Sequence, residues 1–388
     1  MKHPYIKFGL VALALSLQSW GAAADEFIVG EESPLTGALA RVGAGMHEGI
    51  TVAVEVFNKT NGKHTIKVLT EDDESSPAKA IAAVEKLAGQ GVVAFTGGYG
   101  SNNIGPASDA ANKLGLPYIT SGGVAETLVD RGYKTFFRIN NTAGYQKAMV
   151  GLVNDMKVKS ASIVFSTKDA TSSLAKDVEN DLKKKGLAVA MHPFDPAITD
   201  FKPVINKVRL QDKSEALLMV GYENDYVGIL RAAKVLKPKV KAIVGVWSLA
   251  TPKMAADFPD LMPSIYGTAM LPYPPTFTTA EGKLFDDAYK KLFNKDPDYL
   301  GQFGYVQSMV LFEAIARAAD KGTIKSGGIA QELAKTDRKT LIGHVQFNEK
   351  GDNMNFVQKM GQHQDKKIVV VWPGDAATGN MNFPSVPW

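Results

Sequence analysis

From Glu26 onward, short runs rich in β-branched residues alternate with amphipathic segments, and that alternation limits what the chain can fold into. A strand, a turn, a helix and another strand, repeated, build a parallel sheet covered by helices. Phe27–Gly30, Ile66–Leu69, Val92–Thr96 and Pro117–Thr120 read as strands. Between them, Gly43–Asn58 places Met46, Ile50, Ala53, Val54 and Phe57 at helical spacings. Ser76-Pro77 gives a helix start with proline at the first position, followed by Ala80, Val84 and Leu87. Asn103–Leu114 is a third helix, and "KTFFRINN" reads as a short linking strand.

A second set of alternations follows. The predicted strands are Ile163–Phe165, Leu187–Met191, Leu217–Val220 and Ala242–Val246, with helices over Ala170–Lys185 and Tyr226–Leu236. The prolines of "MLPYPPTFT", residues 270–278, mark a crossing. Helices alone are expected next, over Glu281–Phe293, Gly301–Lys321 and Ile329–Ala334. Strands close the chain at Gly343–Phe347, Phe356–Gln362 and Lys367–Trp372. The predicted fold class is α/β with two lobes, each a mostly parallel sheet flanked by helices. An economical arrangement returns the helical block to the first lobe and the β tail to the second.

The chain of 388 residues is long enough for two domains. Its first 24 residues stand apart: Lys2 and Lys7, an apolar run from Phe8 to Leu17, then Ala22-Ala23-Ala24. These are the parts of a secretory signal peptide, cleaved after Ala24, and the run is too short to span a bilayer. The formal charge of +4 falls to +2 without Lys2 and Lys7, which points away from nucleic acid. With no cysteine, thiol catalysis and cysteine-ligated metals are excluded.

"TGGYGSNNIGP", residues 96–106, ends a strand in glycines and opens a helix. The third glycine of a dinucleotide fingerprint would stand at Asn103, and no Lys-Ser/Thr follows a glycine, so both nucleotide motifs are absent. The free N–H groups of a helix start suit an anion, and Ser101 adds a hydroxyl; the plainer role for Ser101 or Asn102 is a helix cap. "YITSGGVAETL", residues 118–128, repeats the arrangement with Ser121, Gly122 and Gly123. Neighbouring parallel strands carry both turns to one sheet edge, where ligands of open α/β sheets sit, and a carboxylate matches the size. "ESPLTGALARVG", residues 32–43, is a third such turn. From the second block, Thr167-Lys168-Asp169, Tyr222-Glu223-Asn224 and Trp247-Ser248 follow strands, and Tyr145 opens a helix; aromatics with a few polar groups suit a small organic ligand.

Catalytic patterns are poor. Tyr99 stands where a G-x-S-x-G elbow at Ser101 needs glycine, and the six histidines make no H-x-x-x-H. His47 reads as structural. Asp72-Asp73-Glu74 precedes a helix start, where acids are favoured by the dipole, so it reads as structural too.

"SPLTGALARVG", "DDESSPAKA", "YGSNNIGPASDAANKLGLPYITSGG", "RGYKTFFRINN" and "GYENDYVGILRAA", in this order behind a leader, resemble the periplasmic branched-chain amino-acid-binding proteins, the type I solute receptors of ABC importers. The resemblance covers essentially the whole mature chain. It implies a three-segment hinge, with lobe 1 at 25–142 plus 274–348 and lobe 2 at 143–273 plus 349–388. It implies a ligand held between closing lobes and a closed form that docks on membrane permease subunits. It also implies that Ser101 binds a carboxylate, that Gly122 and Gly123 offer backbone groups, and that Tyr145, Tyr222 and Phe303 form walls. Val124 stands in place of the family's threonine, Trp247 near its ammonium-pairing glutamate, and Val42 in place of an aromatic.

The expectation is therefore a non-catalytic, monomeric periplasmic receptor for a small carboxylate, without cofactor or metal. Its expected ligand residues are Ser101, Ser121, Gly122, Gly123, Val124, Tyr145, Tyr222, Glu223, Trp247 and Phe303. An aromatic or hydrophobic acid ranks ahead of a hydrophobic amino acid, for which Glu223 or Asp225 would supply the charge. A sensor of the same fold and a serine hydrolase are the alternatives.

Overall fold

The computed structural model describes Met1 and residues 25–388; the expected leader otherwise lies outside the described residues. The first unit runs β1 (Asp25–Ser33), α1 (Ala40–Thr60), β2 (His64–Asp72), α2 (Pro77–Ala88), β3 (Ala94–Gly97), α3 (Ser101–Lys113), β4 (Tyr118–Thr120) and β5 (Phe136–Arg138). Its sheet has the order β2-β1-β3-β4-β5, with every neighbouring pair parallel. "KTFFRINN", read as a short linking strand, supplies the fifth strand of this sheet: Phe136 pairs with Tyr118 in register and their rings stack.

The second unit opens with α4 (Thr142–Asp155), β6 (Ser160–Ser166), α5 (Asp169–Lys184) and β7 (Ala188–Phe194). It continues with α6 (Lys202–Lys207), β8 (Ala216–Val220), α7 (Glu223–Leu236), β9 (Ala242–Gly245), α8 (Pro252–Asp257) and β10 (Tyr266–Ala269). Next come α9 (Ala280–Phe293), α10 (Tyr299–Asp320) and α11 (Gly328–Ala334). The chain then forms β11 (Asp337–Thr340), β12 (Gly343–Gln346), β13 (Lys359–Gln364) and β14 (Lys367–Trp372). The second sheet has the order β14-β13-β10-β9-β8-β6-β7 and is parallel from β10 to β7. β13 and β14 join it antiparallel, through β10.

Chain exchange follows from where apolar faces find partners. α10 is buried along nearly its whole length. It packs on α1 of the first unit, where Phe312 meets Phe57 edge-on at 5.7 Å. β11 and β12 form a separate hairpin, held to α10 and α9 by Arg338 with Glu313 and Glu281. The last strand pair begins at Lys359 rather than Phe356, because Phe356 turns inward against Tyr145 and Phe303. β10 and the short helices α6 and α8 are elements that periodicity did not reveal.

One buried cation ties the crossings together. Arg138, at the end of β5, is fully buried. Its guanidinium donates to Asp352 at 2.8 and 2.9 Å and to the carbonyls of Val124 and Ala125 at 2.8 and 3.0 Å. Glu126 accepts from it at 3.0 Å. Backbone bonds from Arg138 N to Gly351 O and from Asn353 N to Arg138 O run beside these. Among the described residues, no helix is long and apolar enough to cross a membrane.

Candidate functional site

The glycine turn after β3 has a steric cause. Gly97, Gly98 and Gly100 all have positive φ, at 111°, 70° and 87°, a region that disfavours side chains. The turn leaves Gly100 as the residue before α3 and makes Ser101 the first helical residue. Ser101 is therefore no helix cap. Its Oγ instead accepts from the N–H groups of Val124 at 3.2 Å and Ala125 at 3.1 Å, across to the turn after β4. With both acceptor positions of the oxygen taken, the hydroxyl hydrogen is left to donate. The N–H groups of Ser101 and Asn102, at the start of α3, have no intrahelical acceptor.

The two turns touch through backbone. Gly100 N donates to Gly122 O at 2.9 Å. A Cβ on Gly122 would stand 2.0 Å from Gly98 O, so only glycine allows the approach. Ser121 is fixed from three sides: its N–H donates to Gln307 Oε1 at 2.6 Å, its carbonyl accepts from Asn140 at 2.6 Å, and its Oγ donates to Phe303 O at 3.4 Å.

Between the two units lies a cavity of about 420 Å³ including its mouth. Only about 20 Å³ of it admits the centre of a water-sized sphere, room for one or two waters. The first unit contributes Ser101, Ser121, Gly122 and Val124, and the second Tyr145, Tyr222 and Trp247. Phe303, at the start of α10, completes the wall. Trp247 stacks on Tyr222 at 5.6 Å and meets Tyr145 edge-on at 6.0 Å. Its φ of 43° is left-handed, which costs a side-chain residue about 1–2 kcal/mol. That conformation recovers part of its cost by seating the indole between two rings. Burial pushes the phenol groups of Tyr99, Tyr145, Tyr222 and Tyr299 up, so all four stay protonated.

A periplasmic-binding-protein profile matches residues 29–364, most of the chain and both units. The chain belongs to the periplasmic-binding-protein family. A Leu/Ile/Val-binding protein homolog 8 from Brucella suis biovar 1 is 27% identical over 394 residues, covering 96% of this chain and 97% of its own. The crystal structure of a leucine-binding protein, LivK, from Thermotoga maritima superposes with a TM-score of 0.80 at 20% identity, covering 89% of this chain and 97% of that one. A solute-binding protein of an R. palustris ABC transporter, solved with 4-hydroxybenzoate, gives 0.78 at 16%, covering 92% and 98%. These likenesses fix the fold as that of type I periplasmic binding proteins.

Within this periplasmic binding protein, most of the expected ligand residues come together, and two do not. Glu223 does not line the cavity and pairs with Arg41 at 3.0 Å. Gly123 does not line the cavity either, and a Cβ there would meet Leu128 and Ile104. Asp225 does not line the cavity and accepts from the Tyr222 N–H at 2.9 Å.

The third turn, residues 32–43, does not reach the cavity either. Asp72 draws it to β2 by accepting from the N–H groups of Leu35 and Thr36. His47 pairs with buried Glu31 at 2.9 Å, in keeping with its structural reading. Met46, Tyr99, Asn140, Ala170, Tyr299 and Leu300 line the cavity without having been singled out. Tyr99 lies inside the glycine turn and Asn140 inside "RINN", so position next to a marked motif was the available signal. Asn140 donates to Tyr145 Oη at 2.9 Å, and its buried Oδ1 has no partner among the described residues. Neither Ser101 nor Ser121 has a histidine as hydrogen-bond partner among the described residues.

Proposed function

We propose that the chain is the periplasmic solute receptor of an ABC importer. Its ligand is a small aromatic or hydrophobic carboxylate without an amino group. The two units act as lobes, 25–142 with 274–348 and 143–273 with 349–388, that close on the ligand and then dock on permease subunits. The observation that carries the ligand class is that aromatic rings line the cavity while no ionised side chain does. A buried ammonium without a counter-charge is costly, whereas a carboxylate finds the Ser101 hydroxyl and the α3 N-terminus. The R. palustris protein of the same fold, solved with 4-hydroxybenzoate, supports the reading.

Isothermal titration with benzoate, 4-hydroxybenzoate, phenylalanine and leucine tests it. Saturable heat with an aromatic acid and none with leucine is expected. Tight leucine binding without response to either aromatic acid overturns it in favour of a hydrophobic amino acid. One observation favours that second reading: the free Asn140 Oδ1 would accept from an ammonium, as it would from a ligand hydroxyl.

Ser101 carries its own prediction. Ser101→Ala removes one donor from the carboxylate and the link to Val124 and Ala125, and should weaken binding by about 1–3 kcal/mol. Titration of the variant with the bound acid measures it, and unchanged affinity would remove Ser101 from the site.

A further inference from the structure

Glu223 was an expected ligand residue, and the structure gives it a different task. Arg41, the second residue of α1, crosses from the first unit to the second. Its Nη1 lies 3.0 Å from Glu223 Oε2 and its Nε 3.0 Å from Asp257 Oδ2 at the end of α8. Its guanidinium also lies over the Phe258 ring at 5.4 Å. Arg41 and Asp257 are each about a quarter exposed, while Glu223 is buried. Elsewhere across the gap, Thr127 donates to Asp169 at 2.8 Å on exposed surface.

We infer that Arg41, Glu223 and Asp257 form a latch that sets how often the two units are closed, and that Glu223 thereby tunes affinity for every ligand without contacting any of them. The inference rests on the reading of the units as closing lobes. None of the three residues lines the cavity, so their interaction energy is the same whichever ligand is inside. A receptor whose binding-competent form is only partly populated binds with an affinity reduced by that fraction. A contact made only in the closed form raises the fraction for all ligands alike.

The latch also carries its own brake. Glu223 is buried, and its Oε1 finds no hydrogen-bond partner among the described residues. Burial pushes its carboxyl up, against the pull of Arg41, so part of the ion-pair energy is spent on desolvation. A latch of that kind reopens readily, as a receptor that must surrender its ligand requires.

The test measures closure and binding separately. The chain has no cysteine, so Lys113→Cys and Lys184→Cys place one spin label on α3 and one on α5 without interference. Pulsed electron resonance then reads the distance distribution in ligand-free protein. Glu223→Gln and Arg41→Gln should each deplete the short-distance population, and the double variant should deplete it no further. In titrations, Glu223→Gln should weaken benzoate, 4-hydroxybenzoate and leucine by one common factor, roughly three- to tenfold, for whichever of them binds. An unchanged distance distribution in both single variants overturns the latch. So does a loss confined to leucine, which would mean that Glu223 meets an ammonium. Should none of the three probes bind, the ligand reading fails while the distance measurement still decides the latch.

Discussion

Arg138→Leu is expected to lower unfolding free energy by about 3–5 kcal/mol, the largest loss from any single change considered for this chain. The side chain is fully buried and spends its donors on Asp352, Glu126 and the carbonyls of Val124 and Ala125. Leucine fills part of the volume and none of the hydrogen bonds. Asp352, four-fifths buried, is then a carboxylate without its cation, and two carbonyls lose their donor. Asn141 Nδ2 still donates to Asp352 at 3.3 Å, but a single neutral donor does not replace a guanidinium's charge and paired bonds. Denaturation in urea, followed by fluorescence of the tryptophans, measures the loss; a change under about 1 kcal/mol would show that water or local rearrangement satisfies Asp352. The residue acts on the site as well, because the carbonyls it holds belong to the Val124-Ala125 segment, whose N–H groups hold Ser101.

Gly122→Ala should weaken ligand binding by about 10- to 100-fold, through a 1–3 kcal/mol overpacking penalty placed where the two turns meet. The new methyl would lie 2.0 Å from Gly98 O and 2.7 Å from the Tyr99 Cα, and both are backbone atoms that cannot rotate aside. Relief requires the turns to part, which separates the Gly100 N–H from Gly122 O and shifts Ser101 against Val124. Gly89→Ala is the matched control, since its methyl meets nothing nearer than 3.4 Å. Titration of both variants with the acid that the wild type binds compares them directly. Equal affinities would mean that the contact between the turns does not shape the site.

The legible part of the fold was the part written locally. Apolar spacing in Met46, Ile50, Ala53 and Phe57, the proline at the start of α2 and the positive-φ glycines after β3 each report on backbone within a few residues. β10 escaped because "YGTA" carries little β-branched character and is a strand only because β9 and β13 flank it. β5 was legible as a short strand in "KTFFRINN", but not its place as the edge of the first sheet, which depends on pairing with β4. In the site, the two Ser-Gly turns were visible because glycine is demanded sterically there.

Side-chain direction was not visible. Glu223 and Trp247 both follow strands of the second sheet, and both looked able to face a ligand. Only the packed structure seats Trp247 between Tyr145 and Tyr222 and pairs Glu223 with Arg41, 182 positions earlier in the chain. By itself the sequence determined two α/β units, the sheet edge at which the Ser-Gly turns converge and the glycines that open it, because these depend on periodicity and backbone sterics. Tertiary structure alone decided which charges are spent between the units and which aromatics are left for the cavity, because ion pairs and ring stacks form between segments whose distance along the chain encodes nothing about their contact.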